Sequence, residues 1–248
     1  MKRSGLSQLF ASILANAIYA MKNFPVMLVN TILAPFGFLL IIFFVSHGTL
    51  LNVAIMGAFI MTMVTNGISL QGDLTHLKND MKLQDMLVSS PLTMSRYLIG
   101  MALSELVFSI PDLLVLSILA VIFVHISVIA ALTIIAVMLL AFIFSISLGF
   151  FISTISRDVI EGWAFMGLIS LVLSTLPPVY YPITYIPLPF RYLAYLSPTT
   201  YAAMIAQKSI DFISISSLLF YLSWIVLIGV SSFLMFFAIK RSKWREAD

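Results

Sequence analysis

Residues 127–155 read SVIAALTIIAVMLLAFIFSISLGFFISTI, an apolar run that contains no charged side chain. About 20 such residues cross the hydrocarbon core of a bilayer, so this run is expected to be a membrane-spanning helix. Working outward, similar runs occupy 26–46, 52–70, 97–124, 162–176 and 218–239. Pro35 is expected to kink the first, and the run at 97–124 is long enough to tilt. Composition agrees, with 61% hydrophobic and only 9% charged residues and a mean hydropathy of +1.11. Soluble domains carry about 25% charged residues. The expected fold is an all-α integral membrane protein with six transmembrane helices, a single transmembrane domain over residues 1–248.

Charge orients it. Lys2, Arg3, Lys22, Lys78, Lys82, Arg96, Arg157, Lys240, Arg241, Lys243 and Arg245 fall on one side of the spans, and only Arg191 and Lys208 on the other. Basic residues accumulate on the cytoplasmic side because translocating them is disfavoured. Both termini are therefore expected in the cytoplasm, with the chain multi-pass in the cell (plasma) membrane. The clustered cations suit anionic lipid head groups, and no basic, aromatic groove for nucleic acid is visible. The absence of cysteine excludes disulfides, thiolate catalysis and zinc–thiolate sites. Lys2 and Arg3 precede a stretch interrupted by Gln8 and Asn16, so the first span is expected to serve as an uncleaved signal.

Three segments outside the spans carry pattern. In 1–25, Leu6, Leu9, Phe10, Ile13, Ala17 and Met21 recur at helical spacing, which reads as a helix in the cytoplasmic interface or as the start of a longer first span. In the cytoplasmic segment 71–96, Leu83, Met86, Leu87 and Ser90 share a face, while Lys82, Gln84, Asp85 and Ser89 point away. Pro91 then stops the helix. This is an amphipathic helix able to dock into a cleft on a cytosolic partner, or else a solvated connector. The outer segment 177–217 gathers six of ten prolines and six of nine tyrosines between 177 and 201. Prolines break helices and tyrosines favour the membrane boundary. Two short helices dipping into the outer leaflet satisfy both facts; an ordinary extracellular loop is the alternative.

Taken together, these features resemble the permease subunit of type 2 ABC transporters. The stretch Leu83-Gln84-Asp85-Met86-Leu87-Val88-Ser89-Ser90-Pro91-Leu92 is similar to that family's acidic–Leu–Leu–x–Ser–Pro coupling helix. The outer run containing Pro182, Tyr185, Pro187, Pro189, Pro198 and Tyr201 is similar to its Pro…Leu-Pro…Pro-x-x-Tyr region. Two departures are Asp85 where Glu is commoner, without a preceding Gly-Thr, and Pro177-Pro178 where small residues are commoner. The resemblance implies six spans, an interfacial N-terminal helix, a coupling helix at Lys82, Leu83, Gln84, Asp85, Met86, Leu87, Ser90 and Pro91, and an outer re-entrant hairpin. It further implies export of an unidentified substrate, powered by ABC ATPase subunits that bind ATP and Mg, beside a second permease copy, identical or closely related. The first and fifth spans with the hairpin would line that dimer interface.

The chain itself has no Gly-x-x-x-x-Gly-Lys loop for ATP, so no nucleotide-binding domain, and no hydrolase motif. His47, His76 and His125 are too scattered to suggest a metal site. Arg157, Asp158 and Glu161 read as a solvated cap or a second cytoplasmic contact. Glu105 and Asp112 lie seven residues apart, nearly on one helical face. An ionised Asp at mid-membrane costs about 2.5–3.5 kcal/mol. The pair therefore faces either the bundle interior along a substrate path, or structural partners such as the carbonyl freed by Pro111. The rival function is a secondary transporter or channel that works without ATP.

Overall fold

In the computed structural model, which describes residues 5–79 and 94–241, the apolar runs fold as helices, and no β-strand occurs among the described residues. An N-terminal arm comprises α1 (Gly5–Ile13), a π-helical turn at Leu14–Ile18 and α2 (Tyr19–Asn23). Then follow α3 (Pro25–Val45), α4 (Leu51–Asn79), α5 (Met94–Phe108), α6 (Ile110–Phe123), α7 (Val128–Ile155) and α8 (Val159–Thr175). Two shorter helices, α9 (Phe190–Ala194) and α10 (Pro198–Ser209), precede α11 (Ser217–Arg241). By length and hydropathy Leu51–His76, Val128–Ile155 and Ser217–Ala238 can each cross a membrane, and the bent pair Leu98–Phe108 and Ile110–Phe123 can form a fourth crossing. Pro35–Val45 and Val159–Thr175 are shorter apolar helices. The result is an all-helical membrane fold of three to four candidate spans plus shorter apolar helices.

Local chemistry explains the helix ends. At the α3–α4 turn His47 and Gly48 take φ of 49° and 81°, the left-handed region that reverses a chain tightly. Ser127 caps α7, its hydroxyl accepting from the Ala130 N–H at 3.1 Å. Asp158 caps α8 by accepting from the Glu161 N–H at 2.7 Å, and Glu161 reaches back to accept from the Arg157 N–H at 2.7 Å. This reciprocal arrangement is a variant of the capping box. The charged turn is thus a helix cap.

The interior is organised by α4. Of its most apolar window 89% is buried, against 39% for α7 and 17% for α11. Ala54, Ala58, Thr62 and Asn66 are all buried, as are Ser145, Gly149 and Ser153 on α7. A Cβ on Gly149 would stand 3.0 Å from the Ile68 carbonyl oxygen and 3.1 Å from that of Gly67, and one on Gly67 would collide with Ser145 Oγ. The Ser145 hydroxyl shares its proton between the Phe142 carbonyl of its own helix at 2.9 Å and, across the contact, the Met63 carbonyl at 3.2 Å. Small residues let two backbones approach, which matters in lipid because helix association gains little from apolar burial. Elsewhere hydroxyls bond back to their own helices, as Thr75 does to the Gln71 carbonyl (2.7 Å) and Ser104 to that of Gly100 (2.8 Å). Large apolar side chains such as Val121, Ile160 and Val128 stand exposed, as lipid-facing residues do.

Two expected boundaries change. The second run does not stop at residue 70: α4 continues to Asn79, because Gln71 and Thr75 find hydrogen-bond partners and lie buried. The run at 97–124 is not one tilted helix but is bent by 42° between Phe108 and Ile110. Pro111 causes the break, since it lacks an N–H and its ring crowds the preceding turn. The arm is helical without a break from Gly5 to Asn23, with a π-helical turn at Leu14–Ile18, and ends at non-helical Phe24 (φ −126°, ψ 66°), the residue before Pro25, which separates it from α3.

Replacing Gly149 with Leu should force α4 and α7 apart and destabilise the protein by about 1–3 kcal/mol. A thermal-shift measurement in detergent would read this as a lowered midpoint. Gly229→Ala, whose new methyl meets nothing within 4 Å, should leave the midpoint unchanged or raise it.

Candidate functional site

One end of the bundle collects the ends of several helices. Here α4 finishes at Asn79 and α5 begins at Met94, so the stretch joining them leaves from this end. The expected coupling residues Lys82, Leu83, Gln84, Asp85, Met86, Leu87, Ser90 and Pro91 lie outside the described residues. What is described is the helix ends on either side of them. Gln71 of α4 donates from Nε2 to the Gly162 carbonyl in the first turn of α8 at 2.7 Å, and Gly72 packs beneath the Trp163 ring. The N-terminal arm lies along α5: Asn16 donates to Met101 Sδ at 3.2 Å and to Ser12 Oγ at 3.3 Å. Gly100 leaves room for Ser12, since a Cβ there would stand 2.9 Å from its hydroxyl. The end of α4 is thereby joined to α8, and the arm to α5.

Glu105 is buried, and Ser69 on α4 donates to its Oε2 at 2.7 Å. The carboxyl of Asp73, one turn farther along α4 and exposed to solvent, is within hydrogen-bonding reach of Glu105, with His76 beside it. Glu105 therefore joins α5 to α4. Asp112 is also buried, but it lies beyond the bend, in the first turn of α6. A carboxyl there lies at the positive dipole end of α6. The face the two acids were expected to share is interrupted by that bend.

The segment between α8 and α11 is built around α10, whose residues Thr199, Thr200 and Ala202 to Gln207 are buried. Gln207 donates from Nε2 to the carbonyls of Pro178 (3.1 Å) and Tyr181 (3.2 Å), tying the proline-rich stretch to α10. Pro182 is buried and opens a short 3-10 turn at Ile183–Tyr185, while Tyr185, Pro187 and Pro189 are exposed. The Leu188–Pro189 peptide is cis. Pro198 starts α10, where a missing N–H costs nothing. The Tyr201 hydroxyl donates to the Tyr195 carbonyl at 2.9 Å, and Thr200 donates to that of Ala194. Tyr180 stacks on Phe38 of α3 with ring centroids 5.2 Å apart. Arg191, one of the two cations away from the basic cluster, donates to the carbonyls of Ile186 (3.0 Å) and Thr184 (3.2 Å). Lys208, the other, pairs with Asp211 at 3.9 Å. Both are used locally.

Sequence reasoning singled out Glu105, Asp112 and the Pro/Tyr positions but passed over Ser69, Gln71, Asp73 and Gln207. A lone amide or carboxyl within an apolar helix was the available signal, because such a group needs a partner in lipid. Which partner it finds depends on helix packing. Among the described residues, no three His, Asp or Glu side chains converge to hold a metal.

No curated protein matches the chain at a significant level. Residues 7–210, most of its length, match the ABC-2 type transporter family, whose membrane domains are non-catalytic permease subunits. With its multiple apolar helices, the chain belongs to the ABC-2 type transporter family of multi-pass membrane permeases.

Proposed function

We propose that this permease exports its substrate through the cell membrane, driven by separate ABC ATPase subunits that bind ATP and Mg and press on residues 82–91. The observation that carries this reading is the position of α4. It is the most buried helix, it packs against α3, α5, α6, α7, α8 and α10, and its end leads into the proposed coupling segment. A push delivered there reaches nearly every other helix through contacts already in place. A substrate path would then open and close by rocking of packed helices rather than by local unfolding.

The proposed topology has six crossings: α3, α4, the α5–α6 pair, α7, α8 and α11, with 80–93 and both termini in the cytoplasm. At 1.5 Å per residue α8 is about 26 Å long, close to the ~30 Å hydrocarbon thickness. The twelve residues of α10 are too few to cross, which supports an outer re-entrant hairpin. The exposed apolar residues of α3 (Val29, Leu33, Leu40, Phe44), of α8 (Leu168, Leu171) and of the hairpin (Leu188, Leu193) supply a surface for a second permease copy. Glu105 and Asp112 act as structural groups, Glu105 joining α4 to α5 and Asp112 standing in the first turn of α6, where the helix dipole favours a carboxyl.

Three outcomes are expected. Leu87→Asp should reduce ATP-driven export and co-purification of the ATPase at least about tenfold, since a buried interface charge costs more than the ~1.4 kcal/mol that a factor of ten requires. Transport at full rate with every candidate ATPase deleted would refute the reading. Because the chain has no native cysteine, Lys82→Cys and Asp248→Cys can each be labelled singly with an impermeant maleimide. Both should react from the cytoplasmic side and Lys208→Cys from the opposite side. Finally, Asp112→Asn should lower the thermal midpoint yet leave transport per folded molecule within about twofold, roughly 0.4 kcal/mol.

A further inference from the structure

An apolar cleft of about 220 Å³ opens between α5, α7 and α11, but its walls ask for no hydrogen bond. Ser147, the one hydroxyl in its lining, already donates to the Ile143 carbonyl at 2.7 Å. The unmet demand lies in the interior, on α4. Thr62 and Asn66 are only 4% and 6% exposed, yet neither the Thr62 hydroxyl nor the Asn66 Nδ2 has a hydrogen-bond partner in the protein. Burying such groups without a partner is costly, so they call for one that is not part of the chain.

Helical geometry fixes which neighbours these donors face. At about 100° per residue, Thr62, Asn66, Ser69 and Asp73 fall within a sector of about 60° on α4. Ser69 in that sector donates to Glu105 of α5. Met63 and Gly67, outside it, meet Ser145 of α7, and Gly72, on the other flank, meets Trp163 of α8. The sector therefore faces the α5–α6 pair. That pair runs antiparallel to α4, because Leu70 and Leu74 cluster with Met101, whereas Ala54 and Ala58 cluster with Leu116 and Ala120. Counting from the Ser69–Glu105 bond, Asn66 comes level with buried Ser109, and Thr62 with buried Asp112. At the same level Pro111 brings no N–H for the Val107 carbonyl. A polar seam thus runs from Asp73, exposed near the end of α4, to Thr62, about 16 Å at 1.5 Å per residue. Past Thr62 both walls turn apolar, with Ala58 facing Leu116 and Ala120.

The seam's chemistry selects its occupant. Asn66 Nδ2 can only donate, so the occupant must accept a hydrogen bond. Carboxyls line the facing wall, so it must also donate. It must be small, because it lies between two packed helices. Water meets all three demands, and a buried water ordinarily takes two to four such partners. We infer that the seam is a blind, water-filled half-channel: water enters beside Asp73, bonds Asn66 and Thr62, and stops at the apolar plug of Ala58, Leu116 and Ala120. Bonds to water exchange readily, so α4 can shift against α5 and α6 without stranding a buried donor. The seam depends on the fold alone and stands or falls independently of the proposed coupling to ATP.

Two measurements on the full-length protein in lipid nanodiscs test this. In the wild type, labelled at Thr and Ala methyls, solid-state NMR should show magnetisation from water reaching the Thr62 methyl several times faster than that of Ala141, which is equally buried but lies in the apolar cluster. This readout needs no variant to fold. Because the chain has no native cysteine, Thr62→Cys, Asn66→Cys and Leu116→Cys can each be exposed to silver ion in chloride-free buffer, and unreacted thiol counted by alkylation after unfolding. Silver takes the thiolate, which apolar surroundings suppress, so the two seam positions should react at least about tenfold faster than Leu116→Cys. Equal transfer from water to Thr62 and Ala141 would overturn the inference. So would seam cysteines in a folded protein no more reactive than Leu116→Cys, whether because all stay dry or because the plug itself is wet.

Discussion

Close approach of α4 and α7 is the constraint on which the remaining structure depends. In lipid an apolar surface has no reason to leave its surroundings, so two helices stay together only if their backbones come near enough for dispersion and hydrogen bonds to accumulate. Gly67, Gly149 and Ser145 provide that approach, and the Ser145 hydroxyl completes it on the Met63 carbonyl. Once α4 is held at the centre, α5, α8 and α10 are positioned by polar side chains that must find partners inside the bundle. Ser69 reaches Glu105, Gln71 reaches Gly162, and Gln207 reaches Pro178 and Tyr181.

The same constraint accounts for the two ends of the molecule. Where α4 leaves the core, its polar residues are absorbed by neighbouring helices, so the helix stays regular beyond the apolar run. That rigidity suits a lever. At the opposite end the prolines forbid continued helix, and the carbonyls they expose are satisfied by Arg191 and Gln207. Irregular backbone within an apolar bundle is tolerated only when protein groups replace the missing hydrogen bonds.

Much of this was legible beforehand. The apolar runs at 127–155 and 218–239 correspond within two residues to α7 and α11, because an uninterrupted apolar stretch has one stable conformation in lipid. Ala54, Ala58, Thr62 and Asn66, and likewise Ser145, Gly149 and Ser153, recur every four residues and are buried. Less legible were the extension of α4 through Gln71, Asp73 and Thr75, and the bend before Pro111. The first looks polar in one dimension and becomes tolerable only through groups on α5 and α8. In the second, proline signalled a disturbed carbonyl, but whether the helix curved or broke depended on its packing. Of the site, Glu105 and Asp112 were visible as costly groups in lipid, whereas their separation was not.

The sequence alone settled that lipid is the solvent, that helices are the only backbone able to satisfy itself there, and that the chain carries no motif for binding nucleotide. Each follows from local properties, hydropathy, hydrogen-bond demand and motif spacing, that do not depend on partners. Tertiary structure alone decided which helix is central, which amide or carboxyl answers which neighbour, and where a void opens between α5, α7 and α11. Those outcomes depend on how several helices share one volume, and no single stretch of chain encodes the shape its neighbours leave.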